Sequence, residues 1–570
     1  MEKISKITGM LMMITLLAVT SCNEEKFLEE KPLSIYSLDG ALETSAQFQQ
    51  GVNMLYRRTS EFVHYRAGKS GDEAYILMYG NDQAFCSAEV AKLNYYSQIM
   101  IPTYGEVQNT WQRLYVIVTQ ANLLLSRLET ATFPEAEINA MRGESLFFRA
   151  LAYRFLAHLW GGVPLVLEEI TAPRRDFVRS SRLETYTQIK DDLLEAIPLL
   201  GNIESVKDGK VSKQVAQHLL AEIYISLGDF DNSISMASAV INHPVMALMT
   251  ERFGSKINEV GSAYSDLHRS GNQNRGSGNK EALWVCQYDY LNPANSDANG
   301  SPWPSAILSD YDRNSFTVDG VSTLVFVGST AEKGGKGAGW LQATQHLTHG
   351  VWEAGDLRNA DYLIVRDLRC DVPESPAFGK WINADGYGHL LDTLRYWRPF
   401  FMKVTSDIPA DFNQKDASGN DMYTAFGERL VTIDRSFRDH YYFRLAETYL
   451  LRAEAHIGKG DRTAAAADIN SVRARSSAPL VDPSNVDIDY LLDERLRELC
   501  WEEPRTVTLC RMGKLVDRTR KYNSVYYGRA GEYESSGTSM QDYHNLWPIP
   551  YNEIDRNIFG KMEQNPGYTN

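Results

Sequence analysis

The chain has 570 residues, 43% apolar and 23% charged, a globular composition that excludes a disordered chain, a collagen-like repeat and a polytopic membrane protein. Asp and Glu outnumber Lys and Arg by 73 to 58, and the resulting formal charge of -15 repels phosphate backbones, so nucleic acid is not expected as a partner. With 31 Tyr and 10 Trp against 21 Phe, most rings carry a polar handle suited to half-wet surfaces.

The first element is a leader. Lys3 and Lys6 precede an apolar run from Ile7 to Val19. At about 1.5 Å per residue this run is too short for a roughly 30 Å hydrocarbon core, so it reads as a cleaved secretory signal. Leu17-Ala18-Val19-Thr20-Ser21-Cys22 resembles a bacterial lipobox. The resemblance implies a signal peptide over 1–21, a diacylglycerol on the Cys22 thiol and a mature chain starting there. Glu24-Glu25 resembles the acidic surface-export signal of some Gram-negative lipoproteins, and residues 22–45 read as a solvated tether. The other five cysteines (Cys86, Cys286, Cys370, Cys500, Cys510) are odd in number and contain no C-x-x-C, so a free thiol is expected and no zinc spacing exists.

The body is expected over 46–570. Helical periodicity runs through 106–129, 138–160 and 182–200, and residues 212–242 read as a helical hairpin about a Gly228-Asp229 turn. Ala221, Tyr224, Gly228, Phe230 and Ser233 fall at the offsets of a tetratricopeptide repeat. A partial second copy follows at 443–473, where Ala453, His456, Gly460 and Ala465 match and Arg462 replaces the aromatic. Between 251 and 440, clusters of Gly, Asn, Ser and Asp interrupt short apolar runs such as Ala282–Cys286, and site residues are expected to concentrate there. Residues 490–515 return to helix, with alternating charge on one face and Leu on the other. If that helix is continuous, Cys500 and Cys510 lie about 15 Å apart, too far for a disulfide. The predicted fold is mainly α: a scaffold of tetratricopeptide-like hairpins (46–250 and 440–515) carrying a loop-rich ligand-binding insertion (251–440) with minor β structure.

Four strings, in order and across the whole mature chain, resemble the SusD/RagB family of outer-membrane nutrient-binding lipoproteins. They are the lipobox with its acidic pair, GESLFFRALAYRFLAHLWGGVPLV (143–166), LLDERLRELCWEEPR (491–505), and LWPIPYNEI (546–554) with QNPGY (564–568). Pro504 departs from the family pattern, which leaves the end of that helix open. The resemblance implies a lipid-anchored protein on the outer face of the outer membrane. Such a protein binds an oligosaccharide, or in some members a peptide, and passes it to a TonB-dependent, SusC-like transporter; no catalysis and no cofactor are implied.

A sugar needs aromatic platforms and a rim of hydrogen-bonding groups. Trp303, between Pro302 and Pro304 in a polar stretch, is the leading platform, with local packing as its alternative role. Tyr290 is preferred to Tyr288 at what reads as a strand end. Ser70–Asp82 resembles the family's first ligand-facing loop, which brings in Asp72, Tyr75 and Tyr79; the two tyrosines are equally an i, i+4 pair on the inner face of a helix. Trp340, after EKGGKGAG, is either a platform on a mobile loop or the first residue of the next helix. Arg358 either donates paired hydrogen bonds to vicinal hydroxyls or forms a salt bridge with Asp356 or Asp361. Trp111, Trp160 and Trp501 read as core. No G-x-S-x-G occurs, the Gly-rich stretch lacks phosphate-loop spacing, and His346 and His349 form only an H-x-x-H. Acidic pairs are too numerous for counting to dismiss a glycosidase dyad, so a helical glycoside hydrolase stays as the enzymatic alternative.

Overall fold

The computed structural model describes residues 42–64, 75–87, 94–289, 300–313, 315–318, 321–386, 398–405, 408–524 and 535–569. Cys22, Asp72 and Tyr290 lie outside the described residues, as do the signal segment and nearly all of the tether. The chain divides into two compact units, Met1–Gln49 and Gln50–Asn570.

The principal helices of the first half are α1 (Ser45–Val63), α2 (Gly105–Leu128), α3 (Glu135–Trp160), α4 (Arg182–Leu199), α5 (Lys213–Ser226) and α6 (Phe230–Ile241). They pack in sequence from α2 to α5, and α5 pairs with α6. The later half returns to helix in α8 (Leu445–Gly458), α9 (Arg462–Arg475), α10 (Ile488–Leu499), α11 (Arg505–Arg511) and α12 (Leu515–Tyr522); α7 is a single short turn at Trp303–Ile307. Both predicted hairpins are present and turn by one device. A glycine in the left-handed region (Gly228, φ 76°; Gly460, φ 79°) is followed by an aspartate whose carboxylate accepts from the backbone of the next helix's first turn. The two hairpins join through α6 and α8. Gly458 leaves room for Phe230: a Cβ there would lie 2.5 Å from the phenyl ring. Arg462, standing where the second copy should have its aromatic, is exposed and donates to Ser484 O (3.3 Å).

Two of the family strings meet at the end of α3. Trp160 is fully buried; its Nε1 donates to Pro548 O (2.8 Å), and Trp547 N donates to Leu159 O (2.7 Å). Asn565, from QNPGY, donates from Nδ2 to Trp160 O and Trp547 O (2.9 and 2.7 Å). Gly161 ends α3 at φ 76°, and Gly162 passes so close to Ser180 O that a side chain would overlap it.

Among the described residues, the insertion contributes most of four two-stranded antiparallel ladders. These are β1 (Ala84–Cys86) with β5 (Leu341–Ala343), β2 (Ala282–Cys286) with β8 (His440–Arg444), β3 (Ser315–Val318) with β4 (Val321–Leu324), and β6 (Ile364–Val365) with β7 (Phe400–Phe401). The expected single helix over 490–515 is broken. α10 stops at Leu499, Trp501 turns the chain at φ 64°, and Pro504 precedes α11. Proline suits that place because its missing N–H falls where a helix has no acceptor for it. Cys500 and Cys510 are both buried and free.

The charges of α10 are not a solvated face. Glu494, Arg495 and Glu498 are essentially unexposed. Glu498 accepts from Arg444 (2.9 Å) and Arg358 (3.1 Å) and also pairs with Arg475. Glu494 accepts from Arg358 (2.7 Å), Arg473 (2.8 Å) and Arg497 (2.8 Å). Burial pushes these carboxyls up, but the surrounding guanidinium groups outweigh it: Glu494 is held down to about 2, and Glu498 lies well below the usual range.

Candidate functional site

The structure brings three of the predicted residues together from three separate segments. Tyr75 lies between two indoles, with ring centres 5.2 Å from Trp303 and 6.1 Å from Trp340. Behind Trp303 stands Trp501 at 6.2 Å, and behind that Phe401 at 6.1 Å from Trp501. The rings form a row running from a half-buried indole, Trp340, into the core.

Two expectations change here. Trp303 is 5% exposed and cannot offer a sugar its face. Pro302 and Pro304 do not hold it in an open loop; they start α7, whose first turn tolerates proline, and the helix turns the indole inward, where Nε1 donates to Trp501 O (3.3 Å). Tyr75 and Tyr79 are also buried, in a run of turns rather than a helix. Burial pushes the Tyr75 phenol well up, with Arg435 opposing the shift and Asp434 adding to it.

Trp340 precedes strand β5, not a helix, and its backbone is fixed. Ser87 N donates to Trp340 O (2.8 Å), Gly339 N to Leu308 O (2.7 Å) and Ala338 N to Ser305 O (2.8 Å). Gly337 is required: a Cβ there would overlap Ser309 O. The glycines of EKGGKGAG thus let the backbone lie against the carbonyls around α7 instead of making a mobile loop.

Arg358 is structural. It is 1% exposed, with Nε and Nη2 on Asp356 (2.9 and 2.8 Å) and Nη1 on Glu494 and Glu498. A guanidinium sealed inside the protein and paired with three carboxylates is out of a ligand hydroxyl's reach. The described end of the predicted first ligand loop is likewise interior. Asp82 accepts from Arg505 (2.8 and 2.7 Å) and Arg518 (2.9 Å), and these outweigh burial to hold its carboxyl well below the usual range.

A cleft of about 710 Å³ opens elsewhere in the insertion, between Lys256, Glu259, Glu332, Asp361, Tyr362 and Arg429. None of the five predicted residues that are described (Tyr75, Tyr79, Trp303, Trp340, Arg358) lines it. Its charges are largely paired across the rim, Lys256 with Glu259 (2.7 Å) and Arg429 with Glu332 (3.7 Å). Sequence reasoning missed this cleft and the exposed rings Phe378, Trp381 and Tyr423. The signal available for the last group was aromatic residues set in turn-rich sequence, the same signal that selected Trp303.

The comparisons with known proteins agree on one family. The sequence model of the SusD family matches residues 431–568, and that described as starch-binding and associating with the outer membrane matches 26–225. The chain belongs to the SusD/RagB family. It is 25% identical to SusD-like protein P2 of Formosa agariphila, over 99% of both chains. With the starch-binding protein SusD of Bacteroides thetaiotaomicron it shares 27% identity, over 82% of this chain and 79% of that one. Among solved structures, a laminarin-binding SusD-like protein superposes with a TM-score of 0.65 at 21% identity, covering 92% of this chain and all of the other. A SusD homolog of Bacteroides thetaiotaomicron gives 0.66 at 18%, over 93% and 98%. Both show the fold.

Proposed function

We propose that this protein captures an oligosaccharide on its loop-rich face at the outer-membrane surface, without cleaving it, and passes it to a SusC-like TonB-dependent transporter while acylated Cys22 holds the chain on the membrane. The observation that carries the reading is Trp340: a half-buried indole on a backbone tied down from both sides, backed by Tyr75 and Trp303. An indole held this way meets the flat C–H face of a pyranose with little loss of side-chain freedom. Relatives described as starch-binding and laminarin-binding support the ligand class. A handoff protein must release its cargo, so dissociation constants from micromolar to millimolar are expected, about -8 to -4 kcal/mol.

The test is calorimetric titration with laminarin and starch oligosaccharides, beside an assay for newly formed reducing ends. Saturable heat without reducing ends is the expected result. Sugar release that a single carboxylate substitution abolishes would replace this reading with a hydrolase.

A further inference from the structure

A second group of rings in the insertion is open to water. Residues 368–382 fold back on themselves: Cys370 N donates to Lys380 O (2.9 Å), Ile382 N donates to Leu368 O (2.9 Å), and Arg369 pairs with Trp381 in an antiparallel bridge. Directly opposed residues of such a pair send their side chains to the same face, so the Arg369 guanidinium and the Trp381 indole rise together. That guanidinium lies 4.2 Å from the centre of the Phe426 ring. Phe426 stacks on Phe378 with centres 5.4 Å apart and planes 10° from parallel. Trp381, Arg369, Phe426 and Phe378 therefore form one strip built by two loops, in which Trp381 is 46% and Phe378 40% exposed.

The ground beneath the strip is fixed. Trp381 N donates to Asp385 (2.7 Å), and the Asp367 carboxylate accepts from Asn383 N (2.8 Å) and Ala384 N (3.0 Å). Ala377 and Ile382 anchor the same loop in an apolar cluster with Leu308, Val325 and Phe400. Lys380 and Asp385, both exposed, stand beside the indole.

We propose that this strip is a second carbohydrate platform, separate from the Trp340 site, that takes the flat faces of consecutive sugar rings in a neutral polysaccharide. It rests on the glycan-binding reading above and adds to it a preference for long chains. Phe426 is stacked on Phe378 and capped by the Arg369 guanidinium, so the apolar faces open to sugars are those of Trp381 and the outer side of Phe378, with the guanidinium, the Lys380 ammonium and the Asp385 carboxylate as a hydrogen-bonding rim. A protein partner fits less well: a stable protein interface takes about 800 Å² from each side, around a buried centre, which four side chains do not supply. With two platforms, one polymer engages the protein twice, and the second contact raises retention of long chains over short ones.

The test compares the unsubstituted protein with Trp381→Ala and Phe378→Ala by electrophoresis through gels containing laminarin or amylopectin, and by titration with the corresponding trisaccharides. Both positions are surface ones, and melting curves check that the variants fold. The expected result is retention by polymer weakened about three- to tenfold in each variant, with trisaccharide affinity unchanged. Variants retained as strongly as the unsubstituted protein would overturn the second platform and leave the first site standing. An unsubstituted protein that neither polysaccharide retards and neither trisaccharide titrates would count against the glycan reading, and the strip would fall with it. Loss of a protein partner with unchanged retention would assign the strip to docking and overturn the proposal.

Discussion

The helical hairpins and the insertion hold together by different means. In α5–α6 and α8–α9 most contacts are between small and apolar residues at fixed offsets: Ala221, Ala453 and Ala465 are fully buried, and Phe230 fills the space over Gly458, with one ion pair, Arg452 with Asp468 (2.6 Å), across the second hairpin. The insertion has only short ladders and is tied to the scaffold by buried ions, with Arg358 and Asp356 on its side and Glu494 and Glu498 of α10 on the other. A hairpin of this kind tolerates a change of apolar side chain with repacking, whereas a buried ion pair that loses one partner leaves an uncompensated charge. Buried pairs also join scaffold helices to one another, Arg149 with Asp192 (2.6 Å) and Arg154 with Glu222 (2.7 Å), so the contrast is between the apolar interior of each hairpin and the charged joints where segments meet.

The largest effect expected from that contrast comes from Glu498→Ala, which deprives Arg358, Arg444 and Arg475 of a carboxylate at once. Urea unfolding should show a loss of about 3–5 kcal/mol. A loss below about 1 kcal/mol, the size of an exposed pair, would break the comparison.

Acid provides a gentler version. Glu494 is held at about 2 in the folded protein, below the ordinary glutamate value of 4.5. Its contribution to stability is fully present above the unfolded value and drains away as pH falls from about 4.5 towards 2. Thermal melting followed across that window should fall steeply for the unsubstituted protein. Glu494→Gln should be less stable at neutral pH and show a shallower fall; an unchanged slope would remove Glu494 from the network's energetics.

The difference between the regions also decides what the sequence could tell. Hairpins announce themselves: the 3.6-residue period, the Gly-Asp turns and the Ala and Tyr offsets placed α5, α6, α8 and α9 to within a few residues. The break after Leu499 was less visible, because charge alternation continues across it and only Pro504 marks it. In the insertion, residue type picked out candidates but not the direction in which their side chains point. Trp303 and Trp340 sit in similar Gly- and Pro-rich sequence, yet one starts a helix that turns it inward and the other precedes a strand that leaves it half open. Direction there is set by backbone pairing over long separations, Ser87 with Trp340 and Gly339 with Leu308, which no local pattern encodes. Arg358 shows the same limit: Asp356 was legible as a partner two residues away, Glu494 and Glu498 were not.

The most direct check of the account is Trp340→Ala, titrated with whichever laminarin or starch oligosaccharide the unsubstituted protein binds most tightly and melted beside it. The account predicts affinity weakened by about tenfold, the worth of one stacked ring, with the melting temperature lowered by no more than roughly 4 °C. Undiminished affinity in a folded Trp340→Ala protein would contradict it.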